Sequence, residues 1–111
     1  MPHYLPEHKT AVDALLLGMP GISTGQMFGH PSYKIAGKMF AALMEEGIIL
    51  KLPQATINDL LTRGNVSSFA PGGTPMRLWV LIEVSDPAGY AQYVDYCQEA
   101  LEFVARESSK K

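Results

Sequence analysis

Two apolar runs in the middle of the chain, KMFAALM and GIILKL, constrain the fold more than any other feature of the sequence. Each run has the length of a strand, and Glu45, Glu46 and Gly47 at their junction suit a turn. Residues 38–52 therefore predict two adjacent strands of a hairpin at the centre of a β-sheet. The two glutamates are interpreted as a solvated turn rather than an acid/base pair, because neighbouring strand residues point to opposite faces.

Three segments outside this hairpin repeat apolar residues at spacings of three and four, which predicts helices. The first follows Pro6, the second begins at Pro53 and has Gly64 as its terminator, and the third runs from a cap at Asp86 to Arg106. The tail from about residue 107, ESSKK, is polar and unpatterned, so we expect a frayed terminus.

The remaining segments predict short strands and loops. The stretch GISTGQMFGHPSYKIAG is broken by glycines and a proline into short extended pieces, whereas NVSSFAPGGTP is interpreted as a loop. In MRLWVLIEV, two-residue alternation places Trp79 and Leu81 on the face opposite Val80 and Ile82. The element order α-β-β-β-β-α-β-α predicts a two-layer α+β fold, an antiparallel sheet with helices packed mainly on one face.

Composition narrows the class of protein. The 111 residues suit a single domain over 1–111, and the 47% hydrophobic content is typical of a globular chain. A net charge of −2 offers no general attraction to phosphate backbones. The single cysteine cannot form an intramolecular disulfide, the start MPHYLPEHKT lacks a secretion-signal pattern, and no apolar stretch approaches the roughly 20 residues of a membrane span. We expect a cytoplasmic protein.

Few residues of this sequence are plausible candidates for a catalytic role. Cys97 falls on the apolar stripe of the last helix, where a thiol is expected to pack as a small hydrophobe. His30, between Gly29 and Pro31, is interpreted as an exposed turn residue and is the best single polar candidate for ligand or partner contact. The histidines lack metal-site spacing, and the glycine-rich stretches lack the order of a phosphate-binding loop. We expect no metal, no cofactor and no enzymatic activity.

Basic and aromatic residues on different strands suggest a binding surface. They could gather on the open sheet face, where such a combination can bind single strands or nucleotides. Sparse lysines on a sheet also serve simply to keep an exposed face soluble. The candidate binding surface consists of His30, Lys34, Lys38, Phe40, Lys51, Arg77 and Trp79.

Six spaced features occur in order between residues 25 and 105. They are Met27-Phe28-Gly29, Gly37-Lys38-Met39-Phe40, Ile49-Leu50-Lys51-Leu52, Phe69, Gly73 to Met76, and Ala100 to Val104. In order and spacing these features resemble the N-terminal domain of the TfoX-type competence regulators, a domain also found alone in many small bacterial proteins. The resemblance implies a two-layer α+β fold, no established catalytic residues and a one-domain form of the family. His30-Pro31 after the first feature departs from the family pattern.

The sequence thus favours a non-enzymatic regulatory or protein-interaction module. Its partner is expected to be another protein or a second copy in a homodimer, bound through an exposed sheet edge or face. The first alternative is nucleic-acid or nucleotide binding by the basic residues of the candidate surface. The second alternative is a small enzyme that uses His30.

Overall fold

The computed structural model describes residues 6–27 and 29–109. Its helices are α1 (Pro6–Leu16), α2 (Gln54–Leu60) and α3 (Val94–Ser109), with 3₁₀ helices at Pro71–Gly73 and Pro87–Tyr93. Its strands are β1 (Ile22–Met27), β2 (His30–Ile35), β3 (Lys38–Leu43), β4 (Gly47–Lys51), β5 (Val66–Ser68) and β6 (Trp79–Glu83). The predicted α+β fold and its element order are confirmed. Phe28 and the last two lysines of the predicted tail lie outside the described residues.

The six strands form one antiparallel sheet in the order β1-β2-β3-β4-β6-β5. β3 and β4 are the two central strands, as the apolar runs predict. They pair through Ala42 with Ile49 and Leu43 with Ile48, and the Met44 amide donates to the Gly47 carbonyl at 2.7 Å to close the turn. Glu45 and Glu46 are exposed in that turn, as expected.

One face of the sheet packs against the three α-helices and the 3₁₀ helix Pro87–Tyr93. Strand residues such as Leu43, Ile48 and Ile82 lie in the same buried cluster as Leu16 of α1 and Leu60 of α2. The remaining helical members are Val12, Ile57, Tyr90, Tyr93, Cys97, Ala100, Leu101 and Val104. Burying this many aliphatic and aromatic side chains, at roughly 1.5–3 kcal/mol each, is the main stabilising contribution to the fold.

The start of the last helical region follows the predicted cap. The Asp86 side chain accepts a hydrogen bond from the Ala88 amide at 3.0 Å, and Pro87 occupies the first helical position. The first turns, Pro87–Tyr93, are 3₁₀, and only from Val94 does the α-helix proper begin.

Three sequence predictions are wrong in detail. The predicted loop 65–75 contains β5, an edge strand held through Val66 and Ile82 that its polar sequence does not reveal. Gly64 was predicted to terminate the second helix, but α2 already ends at Leu60. Gly64 also lacks the positive φ of a glycine that ends a helix. α3 runs into the predicted tail as far as Ser109.

Gly47 is a position where the sheet cannot accept a side chain. A Cβ there would overlap the carbonyl oxygen of Ile82 on the neighbouring strand β6. We therefore predict that Gly47→Ala forces β4 and β6 apart and lowers the free energy of unfolding by about 3 kcal/mol, measured by urea denaturation.

Gly64→Ala is the matched control for this substitution. A Cβ on Gly64 meets no atom within 4 Å and its φ is not positive, so the same change should cost little. Equal destabilisation by the two variants would contradict the account of the β4–β6 contact.

Candidate functional site

The face of the sheet opposite the helices carries a second hydrophobic cluster. Its buried members are Ala42, Met44, Ile49 and Trp79, and partly buried Met27, Met39, Phe69 and Leu81 pack against them. We call the surface formed by these eight residues the helix-free face. No residue of a helix in the described part of the chain belongs to this cluster.

Strand register places the centre of the helix-free face across three strands. Ala42 on β3 pairs with Ile49 on β4, which pairs with Leu81 on β6. Ala42 and Ile49 are 0% exposed although no helix covers them. Met44 and Trp79 of the same cluster are 7% and 8% exposed, so the centre of the cluster is buried without a contribution from an α-helix.

Phe40 was predicted to lie on this open face, and this is wrong. The ladder between β2 and β3 shifts register, because Tyr33 pairs with Ala41 whereas Lys34 pairs with Met39, leaving Phe40 as an extra residue. Such a bulge reverses the two-residue alternation that precedes it. Phe40 consequently joins Ala41 in the helix-side core and is 0% exposed, while Met39 takes its place on the helix-free face.

Trp79 does lie on the helix-free face, as the alternation in the last strand predicts. It is only 8% exposed, so its ring is a packed part of the cluster and not a platform open to solvent. The same alternation places Val80 and Ile82 in the helix-side core, as predicted.

His30 and Lys34 lie on β2, beside this cluster. His30 was predicted to be an exposed turn residue, and this is wrong, because it is half-buried as the first residue of β2 and pairs with Met27 on β1. A methyl group at Gly25 would come within 3.2 Å of both Ser32 Oγ and Lys34 Cε, so the lysine lies across the glycine on the same face as Ser32. The buried Ser32 Oγ has no hydrogen-bond partner within the described residues.

The four predicted basic residues gather at one end of the sheet. Lys34 and Lys38 flank the β2–β3 turn, Lys51 ends β4, and Arg77 lies in the turn that enters β6. Lys51 pairs directly with Trp79, the first residue of β6. We call this the basic end. Among the described residues only Lys51 of the four forms an ion pair, with Glu107 of α3 at 3.2 Å.

Acidic residues occupy the opposite end of the same strands. Glu45 and Glu46 lie in the β3–β4 turn, and Glu83 ends β6 opposite Gly47. We call this the acidic end. All three side chains are exposed, and within residues 6–27 and 29–109 none of them forms an ion pair. The sequence suggested that the basic residues gather, but not that Glu83 joins Glu45 and Glu46 at the opposite end, because Glu83 is far from them along the chain.

A pocket of about 380 Å³ lies between α1 and the outer strands β1 and β2. Lys9 Nζ lies 2.6 Å from Asp13 Oδ2, and the buried Tyr33 hydroxyl donates to Asp13 Oδ1 at 2.5 Å. Both carboxylate oxygens are thereby engaged, so this cluster fixes α1 to β2. The contact between Asp13 and Tyr33 could not be predicted from the sequence, which shows only that Lys9 and Asp13 are one helical turn apart.

His8 is the buried polar residue of α1. Its Nδ1 lies 2.6 Å from the Tyr90 hydroxyl, and the two rings meet edge to face with centroids 5.3 Å apart. Burial raises the pKa of Tyr90 to about 12, so the hydroxyl keeps its proton at neutral pH. His8 thus joins α1 to the 3₁₀ helix before α3.

Cys97 packs in the helix-side core, as predicted, and burial raises the pKa of its thiol to about 12. A thiol that is neutral and enclosed is not available as a nucleophile. Within the described residues no group of three His, Cys, Asp or Glu side chains is placed to hold a metal ion. No described helix is long and apolar enough to cross a membrane.

Comparisons with known protein-family models, characterised proteins and solved structures give no match to this chain. The resemblance to the TfoX-type N-terminal domain therefore stays a prediction that rests on the six spaced features.

The buried Cys97 and Tyr90 predict a loss of stability at alkaline pH. Burial raises both pKa values to about 12, from 9.0 for the thiol and 10.0 for the phenol. The stabilising contribution is fully present below pH 9 and is lost as the pH rises towards 12, because the unfolded chain releases these protons first. We expect the free energy of unfolding to fall progressively over this interval in urea titrations.

Cys97→Ala should make that alkaline fall shallower, since it removes the thiol contribution. The native thiol should also react with a disulfide reagent far more slowly than the thiol of the urea-unfolded chain. Rapid labelling of the native protein at neutral pH would show that Cys97 is accessible and would contradict its place in the core.

Proposed function

We propose that this chain is a non-enzymatic protein-binding module that docks an apolar surface of a partner protein onto the helix-free face. The observation that carries the proposal is the second hydrophobic cluster, on a sheet face to which no described α-helix contributes a residue. Its partly buried members, Met27, Met39, Phe69 and Leu81, leave apolar surface open to solvent, and grouped apolar surface marks interaction sites.

The composition of the helix-free face suits protein recognition. Three of its eight residues are methionines, whose flexible and polarisable side chains adapt to irregular apolar surfaces. Phe69 and Trp79 add aromatic side chains to the face, a residue class that is enriched in protein–protein interfaces. The charged groups lie at the two ends of the sheet, which matches an interface with an apolar middle and a polar rim.

Nucleic-acid binding is supported less well. Single-strand recognition uses exposed aromatic rings as stacking platforms, but Phe40 lies in the core and Trp79 is packed within its cluster. The acidic end, with Glu45, Glu46 and Glu83, would repel a phosphate backbone that continued along the strands from the basic end.

The test is site-specific photo-cross-linking in cells. A benzophenone amino acid replaces Met39, which lies on the helix-free face, and the matched control carries it at Leu61, which is 39% exposed beside α2. We expect one discrete protein adduct from position 39 and none from position 61, with peptide mass spectrometry identifying the partner. Absence of an adduct at position 39, equal adducts at both positions, or a nucleic-acid adduct would contradict the proposal.

A further inference from the structure

β1 is an edge strand of the sheet, and within residues 6–27 and 29–109 no strand pairs with its outer side. It pairs with β2 through six consecutive residues without a register shift. An edge strand presents a row of unpaired backbone amide and carbonyl groups, and proteins usually protect such an edge by short length, charge, proline or a bulge. The other edge strand, β5, has only three residues, whereas the sequence of β1, ISTGQM, contains neither a charge nor a proline. β1 is therefore open to pairing with a further strand.

The pocket of about 380 Å³ beside α1 lies at this same edge. Thr24 of β1 pairs with Tyr33 of the helix-side core, and cross-strand partners share a face, so Thr24 lies on the helix side. Thr24 and Gln26 are nevertheless exposed, so α1 does not extend over β1. Leu17, directly after α1, lines the pocket and at 48% is the most exposed large hydrophobic side chain of the described residues. An apolar side chain from a strand added beside β1 can reach over Thr24 or Gln26 to Leu17.

On the opposite side of β1, the Lys34 side chain extends over Gly25. A methyl group at Gly25 would lie 3.2 Å from Lys34 Cε and 3.3 Å from Lys34 Nζ, so the ammonium group lies above the backbone of β1. Within the described residues Lys34 forms no ion pair. Neighbouring strands lie about 4.8 Å apart, so a carboxylate on an added strand beside Gly25 would be within reach of this ammonium group.

We propose that β1 binds an extended acidic peptide segment of a partner protein as an additional strand, with an apolar side chain of the segment in the pocket beside α1 and a carboxylate at Lys34. Side chains alternate along a strand, so the segment residue opposite Gly25 and the residue opposite Thr24 or Gln26 point to different faces. The acidic and the apolar residue are therefore neighbours in the segment. Main-chain hydrogen bonds supply the affinity of such a contact, and the two side-chain sites supply its specificity.

A second copy of β1 suits this edge less well than an acidic peptide. Its sequence, ISTGQM, holds no carboxylate to pair with Lys34. An antiparallel pairing of two copies centred on Gly25 would also bring their two Lys34 ammonium groups towards each other, and like charges at an interface are unfavourable. The charges therefore favour a peptide of a different sequence.

The probe for this site is a peptide selected from a displayed library of random sequences on the immobilised full chain. We expect the enriched peptides to carry an apolar residue beside an acidic one, and fluorescence polarisation of a labelled peptide then gives its dissociation constant. Backbone N-methylation at every second residue of that peptide should abolish binding in one register and spare it in the other. The reason is that an edge strand forms hydrogen bonds with only alternate residues of its neighbour.

Leu17→Asp and Lys34→Glu test the two side-chain sites, and each should raise the dissociation constant roughly tenfold. The matched controls are Leu61→Asp, on an exposed leucine beside α2, and Lys38→Glu, on an exposed lysine at the start of β3. Both controls should bind the peptide as the wild-type chain does, and circular dichroism should show that every variant is folded. A peptide whose acidic residue is replaced by lysine should bind the Lys34→Glu variant better than it binds the wild-type chain.

Three results would overturn strand addition at this edge. They are failure of any peptide to enrich, equal effects of N-methylation in the two registers, and equal affinity for the Leu17→Asp and Leu61→Asp variants. The inference does not rest on the function proposed above, because the cross-linker at position 39 tests the helix-free face separately. Peptide binding without an adduct at position 39 would therefore overturn only the proposed function, and an adduct without peptide binding would overturn only this inference.

Discussion

The pairing of β3 with β4 is the interaction on which the rest of the structure depends. In this central hairpin Leu43 and Ile48 point to the helices, whereas Ala42 and Ile49 point to the other face, so both faces are apolar. A hairpin of this kind needs cover on both sides, because leaving its apolar surface in water forgoes about 25 cal/mol for each Å². The helices supply this cover on one side only.

On the other side the chain supplies a thin layer of its own side chains. Met44 and Trp79 pack with Ala42 and Ile49 and are themselves buried, but Met27, Met39, Phe69 and Leu81 stay partly exposed. These partly exposed side chains form the apolar surface that we propose as the docking site for a second protein.

The sequence predicted the parts of this molecule that depend on local pattern, and missed those that depend on pairing across the sheet. The central hairpin, the order of the elements, the cap at Asp86 and the buried Cys97 each follow from composition or periodicity within a short segment. Phe40 was placed on the wrong face because the bulge opposite Tyr33 and Lys34 appears only when two strands are aligned. The grouping of Glu83 with Glu45 and Glu46 at one end of the sheet was hidden for the same reason.

Oxidative footprinting of the methionines tests the central claim most directly. Met27 and Met39 are the partly buried methionines of the helix-free face, and Met19, packed against the helix-side core, is an internal control. Hydroxyl radicals convert accessible methionine to its sulfoxide, which mass spectrometry counts residue by residue. The account predicts that oxidation of Met27 and Met39 falls when the partner captured by the cross-linker at position 39 is added, while that of Met19 stays constant. Unchanged oxidation of Met27 and Met39 in the presence of that partner would contradict a protein-binding role for this face.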